Sequence, residues 1–359
     1  MPTERLVAAA ESSPAEEQHN LALRPTTLAD YIGQPKLVEK LTITLQAVRD
    51  RGEPMEHTLL HGPPGLGKTT LAHIIANEMG THLSVSAGPA LTKPGDLVGL
   101  LTKLQPRDVL FIDEIHRLPI ALEEYLYSAM EDFKIDVQIE QGMHARTVTL
   151  PVQPFTLIGA TTRAGLLSAP MRSRFGLQHN LEFYPPDHLL QILHRSAHLL
   201  HLTPKPTDSI RGPAPQNDPA HAALSLLAHR ARGTPRIANR LLRRVRDFAQ
   251  VKHHNQLNPT VVKEALKLEG IDDLGLDELD HKYLRTLATV YHGGPVGLEA
   301  IAATLGEDAG TLEQAVEPFL LQTQFLARTR RGRALTPAAV QHLNINLPEH
   351  DPSLFPSPD

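Results

Sequence analysis

Eight residues, Gly62 to Thr69, have the residue types and the spacing that bind a polyphosphate. They read Gly-Pro-Pro-Gly-Leu-Gly-Lys-Thr, a complete match to the pattern G-x-x-x-x-G-K-[ST]. The glycines let the backbone bend around an anion, and a helix N-terminus after the loop also favours negative charge. Lys68 is expected to reach the β- and γ-phosphates, and the Thr69 hydroxyl is expected on Mg²⁺. The loop therefore predicts a nucleoside triphosphate site.

The flanking residues supply the elements that such a loop needs. Residues 58–61 are typical of a short strand, and the chain from Lys68 onward has apolar residues at helical spacing. The alternative is a chance glycine-rich turn. A full motif between a strand and a helix disfavours that alternative strongly.

A second stretch, residues 108–114, reads DVLFIDE and predicts a buried strand that ends in two carboxylates. Asp113 follows Lys68 by 45 residues (113 − 68) and is expected in the Mg²⁺ shell. Glu114 is a candidate to accept a proton from the attacking water. A solvated acidic pair after a strand is the alternative, and the preceding phosphate loop makes it less favoured.

Length and composition indicate a soluble protein of two or three domains. The chain has 359 residues, of which 41% are hydrophobic and 21% charged. It has no cysteine, which excludes disulfides, zinc–thiolate sites and cysteine nucleophiles. The sequence shows no signal peptide and no apolar run of about 18 residues, so we expect a cytoplasmic protein without a membrane contact. Residues 1–20 and 348–359 are predicted to be disordered tails.

The net charge of −5 conceals two basic stretches. Residues 229–254 are rich in arginine, and residues 327–333 read ARTRRGR. Read alone, the second stretch is more often a solvated basic turn than a DNA contact. The twenty histidines lack a recognised metal spacing, so we interpret them as ordinary surface and core residues.

Patterning along the chain predicts further elements. Helices are expected at about 35–51, within 90–104 and at 116–132, and strands at 81–88 and 155–162. Alternation at 134–139 and 145–150 around a Gln-Gly turn predicts a hairpin, which is either a partner contact or a surface decoration. Arginines in residues 169–176, just after a core strand, are candidates for a transition-state finger.

Five long motifs together resemble the RuvB family, the AAA+ ATPase motors of Holliday-junction branch migration. They are GPPGLGKTT, FIDEIHRL, LIGATTRAGLLSAPMRSRFG, ARGTPRIANRLLRRVRDFA and GGPVGLEAIAATLGE. The resemblance extends over residues 21–347 and implies an α/β fold. It implies a large AAA+ domain at 21–184, a parallel αβα sandwich with the phosphate-loop strand at its centre. A small helical lid at 185–270 and a winged-helix head at 271–347 would follow. An insertion at 203–220 departs from the family pattern.

The resemblance also implies roles for individual residues. Asp113 and Glu114 form the second acidic motif, Thr161 the first sensor, Arg174 a finger acting on a neighbouring subunit's ATP, and Arg236 the second sensor. The nucleotide is expected to lie against residues of the loop and of three other segments: Leu23, Arg24, Gly65, Gly67, Lys68, Thr69, Thr70, Glu131, Asp132, Phe133 and Tyr184. Arg328 and Arg333 are implied on DNA, where arginine can bind phosphate with two donors.

A finger that works in trans implies a ring, and the family resemblance implies a homohexamer on duplex DNA. The hairpin at 134–150 resembles the one that docks on RuvA, and the RuvC resolvase is implied in the larger complex. The rival functions are a clamp loader or replication initiator, a protein-remodelling ATPase and a non-enzymatic DNA-binding scaffold. The first should lack a hairpin combined with a wing, the second needs an aromatic pore loop, and the third would tolerate loss of Lys68 and Glu114.

Overall fold

The computed structural model describes residues 23–138, 147–202 and 218–345, which fall into two compact units. Of the described residues, the sheet unit comprises those up to Ile192 together with Gly233–Arg236, and the helical unit comprises those from Leu193 to Arg232 and from Ile237 onward. The predicted tails, the tip of the 134–150 hairpin and nearly all of the 203–220 insertion lie outside the described residues.

The sheet unit is built on five parallel strands in the order β2-β3-β6-β1-β7. Their bounds are Thr58–His61 (β1), Leu83–Ala87 (β2), Val109–Asp113 (β3), Thr156–Thr161 (β6) and Leu177–Asn180 (β7). The side chains of β3 and β6 are almost wholly buried, as expected of parallel strands covered on both faces. The expectation that the phosphate-loop strand is central is wrong by one place, because β6 holds the middle and β1 lies between β6 and β7.

Helices accompany this sheet in the described part of the unit. They are Pro35–Arg51 (α1), Lys68–Met79 (α2), Pro94–Leu101 (α3), Ile120–Asp132 (α4) and Ala169–Ser173 (α5). The predicted bounds of α1 and the predicted start of α2 are confirmed. The helix predicted at 116–132 begins instead at Ile120, after Pro119, whose fixed backbone suits the start of a helix. His116 lies before it, in a 3-10 turn that follows β3 directly.

A separate antiparallel pair is formed by Lys134–Gln138 (β4) and Thr147–Pro151 (β5). Lys134 pairs with Pro151 and Gln138 with Thr147, so the predicted hairpin is confirmed as far as the structure describes it. Ile135 is fully buried and anchors the hairpin in the core of the sheet unit.

The helical unit continues with helices and one small sheet. The helices are Pro186–Leu199 (α6), Pro219–Arg230 (α7), Pro235–Lys252 (α8), Pro259–Leu268 (α9), Glu278–Thr289 (α10), Leu298–Leu305 (α11), Ala309–Thr311 (α12), Glu317–Gln322 (α13) and Pro337–Leu343 (α14). Two of them, α6 and α8, begin in the sheet unit and continue into this one. Strands Leu326–Thr329 (β8) and Gly332–Leu335 (β9) pair antiparallel, and Val296 bridges to Arg333. Helices followed by this hairpin confirm the expected wing.

The helical stretch over residues 309–322 is interrupted. A π-helical turn, Leu312–Val316, separates α12 from α13. Pro318 stands at the start of α13 and has no N–H to donate to the preceding turn, which accounts for the break. None of the helices in the described ranges is long and apolar enough to cross a bilayer.

Within the helical unit, the chain that follows α9 is bound to α7 and to the head helices. Arg232 lies 3% exposed, pairs with the buried Asp280 of α10 and donates from Nε to the Gly275 carbonyl at 2.7 Å. Arg230 pairs with Asp273. Breaking a buried ion pair costs about 3–5 kcal/mol because it leaves an uncompensated charge. These contacts join α7 firmly to the start of the winged-helix region.

Asp272 makes a second joint in the same unit. Its Oδ2 lies 3.1 Å from His281 Nε2 on α10 and 3.0 Å from His342 Nε2 on α14, while its Oδ1 accepts the amides of Leu274 and Leu276. Burial alone would raise the carboxyl pKa, but these hydrogen bonds outweigh it and lower the pKa to about 2. The carboxylate thus stays ionised and ties the first and last head helices to one turn.

Candidate functional site

The phosphate loop has the backbone that its glycines predict. Gly62 has φ 141°, and a side chain there would come within 2.4 Å of the Leu181 carbonyl oxygen. Gly65 and Gly67 also have positive φ, at 77° and 101°. Such angles are unstrained only for glycine. The loop therefore depends on these residues for its shape, and Thr70 follows them in the first turn of α2.

Lys68 lies back along the loop, 7% exposed. Its Nζ donates to the carbonyls of Gly62 and Pro63, both at 2.9 Å. Burial lowers its pKa to about 8, opposed by the charges of Asp113 and Glu114 and assisted by that of Arg236. The structure thus places the second-sensor candidate near the lysine.

The two acidic residues meet the loop at the carboxyl edge of the sheet. Thr69 Oγ1 donates to Asp113 Oδ2 at 3.4 Å, and Asp113 Oδ1 accepts the Glu114 amide at 2.9 Å. Glu114 itself has a left-handed backbone, φ 49° and ψ 42°, which is uncommon for a residue with a side chain. Its carboxylate remains 34% exposed. The predicted metal ligands and the predicted base therefore lie together.

Thr161 ends β6 and is fully buried. Its Oγ1 lies 2.8 Å from His116 Nδ1 and accepts the Arg163 amide at 2.9 Å. The other ring nitrogen of His116, Nε2, lies 3.4 Å from Glu114 Oε2. Burial lowers the His116 pKa, in spite of the neighbouring carboxylate. The sensor candidate thus contacts an imidazole that also contacts the predicted base.

Tyr184 packs beneath the loop. Its hydroxyl donates to the Leu66 carbonyl at 3.3 Å and lies 2.8 Å from the Tyr31 hydroxyl. Burial raises the Tyr184 pKa to about 12. Leu23 is buried, and Arg24 lies near enough to His73 of α2 to add to the lowering of that histidine's pKa, which is due first to burial. Tyr184 thus supports the loop through Leu66, and Arg24 lies beside the helix that follows the loop.

Arg174 belongs to a second group of side chains. Its guanidinium lies 4.4 Å from the centre of the Tyr127 ring and donates to Glu131 Oε2 at 3.2 Å and to the Pro170 carbonyl at 2.8 Å. The Tyr127 hydroxyl in turn donates to the buried Glu123 at 2.7 Å. The finger candidate is therefore held by α4.

The other two residues of that stretch have structural contacts of their own. Asp132 pairs with Lys134 at 3.2 Å, and Phe133 packs edge-on against Phe155 in the core. Glu131 contacts Arg174 rather than the loop that holds Lys68 in the same chain. Their predicted place beside a nucleotide accordingly stays a prediction.

In the wing, Arg328 and Arg333 converge on Glu317, whose side chain is wholly buried. The Nε atoms of both arginines donate to its carboxylate at 2.9 Å, and the Tyr283 hydroxyl donates at 2.8 Å. Burial would raise the Glu317 pKa, but these donors lower it. Arg328 remains 43% exposed and Arg333 19%.

Comparison with known families covers most of the chain. Residues 23–181 match the family described as the Holliday junction DNA helicase RuvB P-loop domain, residues 216–272 the RuvB AAA lid domain, and residues 273–344 the RuvB C-terminal winged helix domain. The chain belongs to the RuvB family. It is 53% identical over 337 residues to the Holliday junction branch migration complex subunit RuvB of Limosilactobacillus reuteri (strain DSM 20016), covering 94% of this chain and 95% of the relative.

Solved structures of the same family superpose closely. The Thermotoga maritima RuvB Holliday junction branch migration motor has a TM-score of 0.79 and 49% identity, covering 91% of this chain and all of that one. A point mutant of Thermotoga maritima RuvB has a TM-score of 0.80 at 48% identity, covering 91% of this chain and 99% of that one. These likenesses confirm the predicted RuvB-type α/β fold with its lid and winged-helix regions.

Four contact residues of this RuvB-family chain were not predicted. Tyr31, His116, Tyr127 and Glu317 contact Tyr184, Glu114, Arg174 and Arg333 in that order. Tyr31 is 153 residues from its partner and Glu317 is 16, whereas His116 lies two residues after Glu114. That spacing could have indicated the contact, because a histidine two residues after the carboxylate that follows β3 can reach the same carboxyl edge of the sheet.

Proposed function

We propose that this protein is the ATP-driven motor of a Holliday junction branch migration complex. It would act as a homohexameric ring that pulls duplex DNA in homologous recombination and repair, in the cytoplasm. The observation that carries the proposal is the convergence of Lys68, Thr69, Asp113 and Glu114 at one sheet edge, in a RuvB-family chain that also has a wing.

The phosphate loop would bind the triphosphate of ATP. Lys68 would exchange its two carbonyl contacts for phosphate oxygens, which compensate its charge better. Leu23, Arg24 and Tyr184 would flank the nucleotide. Thr69 Oγ1 and Asp113 Oδ2 lie 3.4 Å from each other. Both are oxygen atoms, the kind of ligand that Mg²⁺ prefers. When bound there, Mg²⁺ would neutralise charge on the phosphates.

Hydrolysis is assigned to residues on both sides of a subunit boundary. Glu114 would take the proton of the attacking water, and Arg236 would contact the phosphates from beside Lys68. Arg174 would reach the ATP of the neighbouring subunit, and residues 131–133 would lie beside a bound nucleotide. Arg174 contacts Tyr127 and Glu131 of α4 rather than the phosphate loop of its own chain, which supports a role at another subunit's nucleotide.

The hairpin β4–β5 would dock on RuvA, since Ile135 anchors it in the core while most side chains of β5 remain exposed. RuvC would join the larger complex. Arg328 and Arg333 would contact the DNA backbone, because a motor that accepts any sequence needs phosphate rather than base contacts. Glu317 would hold both guanidinium groups in place while leaving part of each exposed.

ATP hydrolysis measured with and without duplex DNA, across protein and salt concentrations, tests the proposal. We expect DNA to stimulate turnover, steeply with protein concentration because subunits must assemble, and less at high salt because phosphate contacts are screened. Adding RuvA and a four-way junction should then give ATP-dependent branch migration. ATP turnover indifferent to DNA would argue against a DNA motor and favour a protein-remodelling ATPase.

The Arg333→Gln variant should bind duplex DNA more weakly, to a similar degree for all sequences. The slope of log affinity against log salt should fall by about 1, because one phosphate contact is lost. Lys282→Ala is the matched control, since Lys282 is an exposed cation on the head helix α10 that pairs with Glu278. Fluorescence anisotropy on labelled duplexes gives both slopes. An unchanged slope for Arg333→Gln would remove it from the DNA contact and leave it a partner of Glu317.

A further inference from the structure

His116 lies between two residues to which the proposed hydrolysis already gives roles. The 3-10 turn Ile115–Arg117 carries it from the end of β3 to the end of β6. One ring nitrogen faces the Thr161 hydroxyl at 2.8 Å and the other faces the Glu114 carboxylate at 3.4 Å. The imidazole is only 6% exposed. It therefore forms a buried link between the sensor candidate and the base candidate.

The direction of the hydrogen bonds follows from the groups at each end. A carboxylate only accepts, so His116 Nε2 must carry the proton that faces Glu114. In the neutral ring, Nδ1 is then the acceptor, and the Thr161 hydroxyl must donate to it. Thr161 Oγ1 remains able to accept the Arg163 amide, which it does at 2.9 Å. The contacts therefore run from Thr161 through His116 to Glu114, with a hydrogen bond at 2.8 Å on the first side and an ion-pair-range contact at 3.4 Å on the second.

The main chain of Glu114 is held in place, so the orientation of its carboxylate depends on the contact with His116. Its left-handed conformation is held by the Arg117 amide, which donates to the Glu114 carbonyl at 2.9 Å. Gly88 packs on the same carbonyl, where a side chain would come within 2.4 Å. With the main chain fixed on both sides, the His116 contact at 3.4 Å is the side-chain contact that can direct a carboxylate that is otherwise 34% exposed.

Thr161 is poorly placed to act on a nucleotide by itself. Its side chain is fully buried, its proton is donated to His116, and its oxygen accepts from Arg163. A hydroxyl has one proton, so donation to a phosphate would require it to leave the imidazole. The Thr161 hydroxyl thus has both its donor and an acceptor position occupied by groups of the protein.

We propose that His116 is a positioning residue for Glu114, and that Thr161 acts on ATP hydrolysis through His116 rather than by contact with the phosphate. This inference rests on the proposed role of Glu114 as the base. Loss of the link misdirects the carboxylate and lowers kcat, while ATP binding at the loop is retained. An error of about 1 Å in such a group can cost on the order of 100-fold in rate.

The test is steady-state ATP hydrolysis by the full-length chain, with ATP affinity measured separately. His116→Ala should lower kcat by about 10- to 100-fold and change the ATP dissociation constant less than about twofold. His116→Gln should recover most of the rate, because its amide N–H can donate to Glu114 and its oxygen can accept from Thr161. His82→Ala is the control, since His82 is exposed in the same unit.

The double variant distinguishes the two ways in which Thr161 could act. If it acts through His116, Thr161→Val should lower kcat in the otherwise unchanged chain and add little to His116→Ala. Losses that multiply would show direct action of Thr161 on the phosphate and overturn that part of the proposal. Thermal unfolding of each variant checks that it is folded, and recovery in His116→Gln is the result that a merely structural role would not give.

Glu114→Gln, assayed in parallel, separates the failure of this inference from that of the proposed function. If Glu114→Gln is inactive while His116→Ala hydrolyses ATP normally, the base stands and the positioning role is wrong. If Glu114→Gln retains normal turnover, the base assignment fails and the inference fails with it.

Discussion

Replacing Arg174 by alanine should reduce ATP hydrolysis by about 10³- to 10⁵-fold while each subunit still binds ATP. Such a loss is expected of a cation that stabilises transition-state charge. In its own chain the guanidinium is held by Tyr127 and Glu131. Its Nε is buried without a hydrogen-bond partner among the described residues, so the cradle leaves a donor unused. Hydrolysis under saturating ATP, together with ATP affinity, measures the effect.

Mixing variants decides whether Arg174 acts in trans. Subunits with Arg174→Ala retain a working phosphate loop, and subunits with Lys68→Ala retain the finger. A mixture should therefore hydrolyse ATP faster than either variant alone. Arg174→Lys should not restore the rate, because lysine lacks the planar two-donor geometry. Arg51→Ala, which removes an exposed arginine of α1, should behave as the unchanged chain. Absence of rescue in the mixture would mean that Arg174 supports α4 instead.

Glu114→Gln should bind ATP normally and lower hydrolysis by about 10²- to 10⁴-fold, the range that general base catalysis contributes. The amide keeps the size of the side chain and can still contact His116, but it cannot take a proton from water. Single-turnover hydrolysis with excess protein isolates the chemical step from product release.

Glu124→Gln is the matched control for that variant, because Glu124 is an exposed carboxylate on α4. It should hydrolyse ATP at the normal rate. Weak ATP binding by Glu114→Gln would indicate damage to the loop, and a normal single-turnover rate would place the base elsewhere.

The sequence was most informative where a function is local. The phosphate loop, its strand and its helix lie within about two dozen residues, and glycine spacing reveals the backbone that they need. Thr69 and Asp113 are 44 residues apart, yet their meeting could be expected because parallel strands bring their carboxyl ends to one edge.

Contacts between distant segments could not be predicted in the same way. The bond between Tyr31 and Tyr184 spans 153 residues, and nothing in either segment indicates it. Glu317 reads as a helix residue beside a proline, and only the folded wing shows that it is buried under two arginines. His116 was assigned to a helix, because apolar spacing continues back through residues that Pro119 in fact separates.

The joints at Arg232 and Asp272 have a mechanical consequence. A region meant to flex would have exposed, weakly bonded chain at its junction, but the junction between α9 and α10 has a buried ion pair and a carboxylate held by two imidazoles and two amides. The helices before and after it should therefore turn as one stiff arm. A rotation of α7 would therefore move the wing with it as part of the same rigid body.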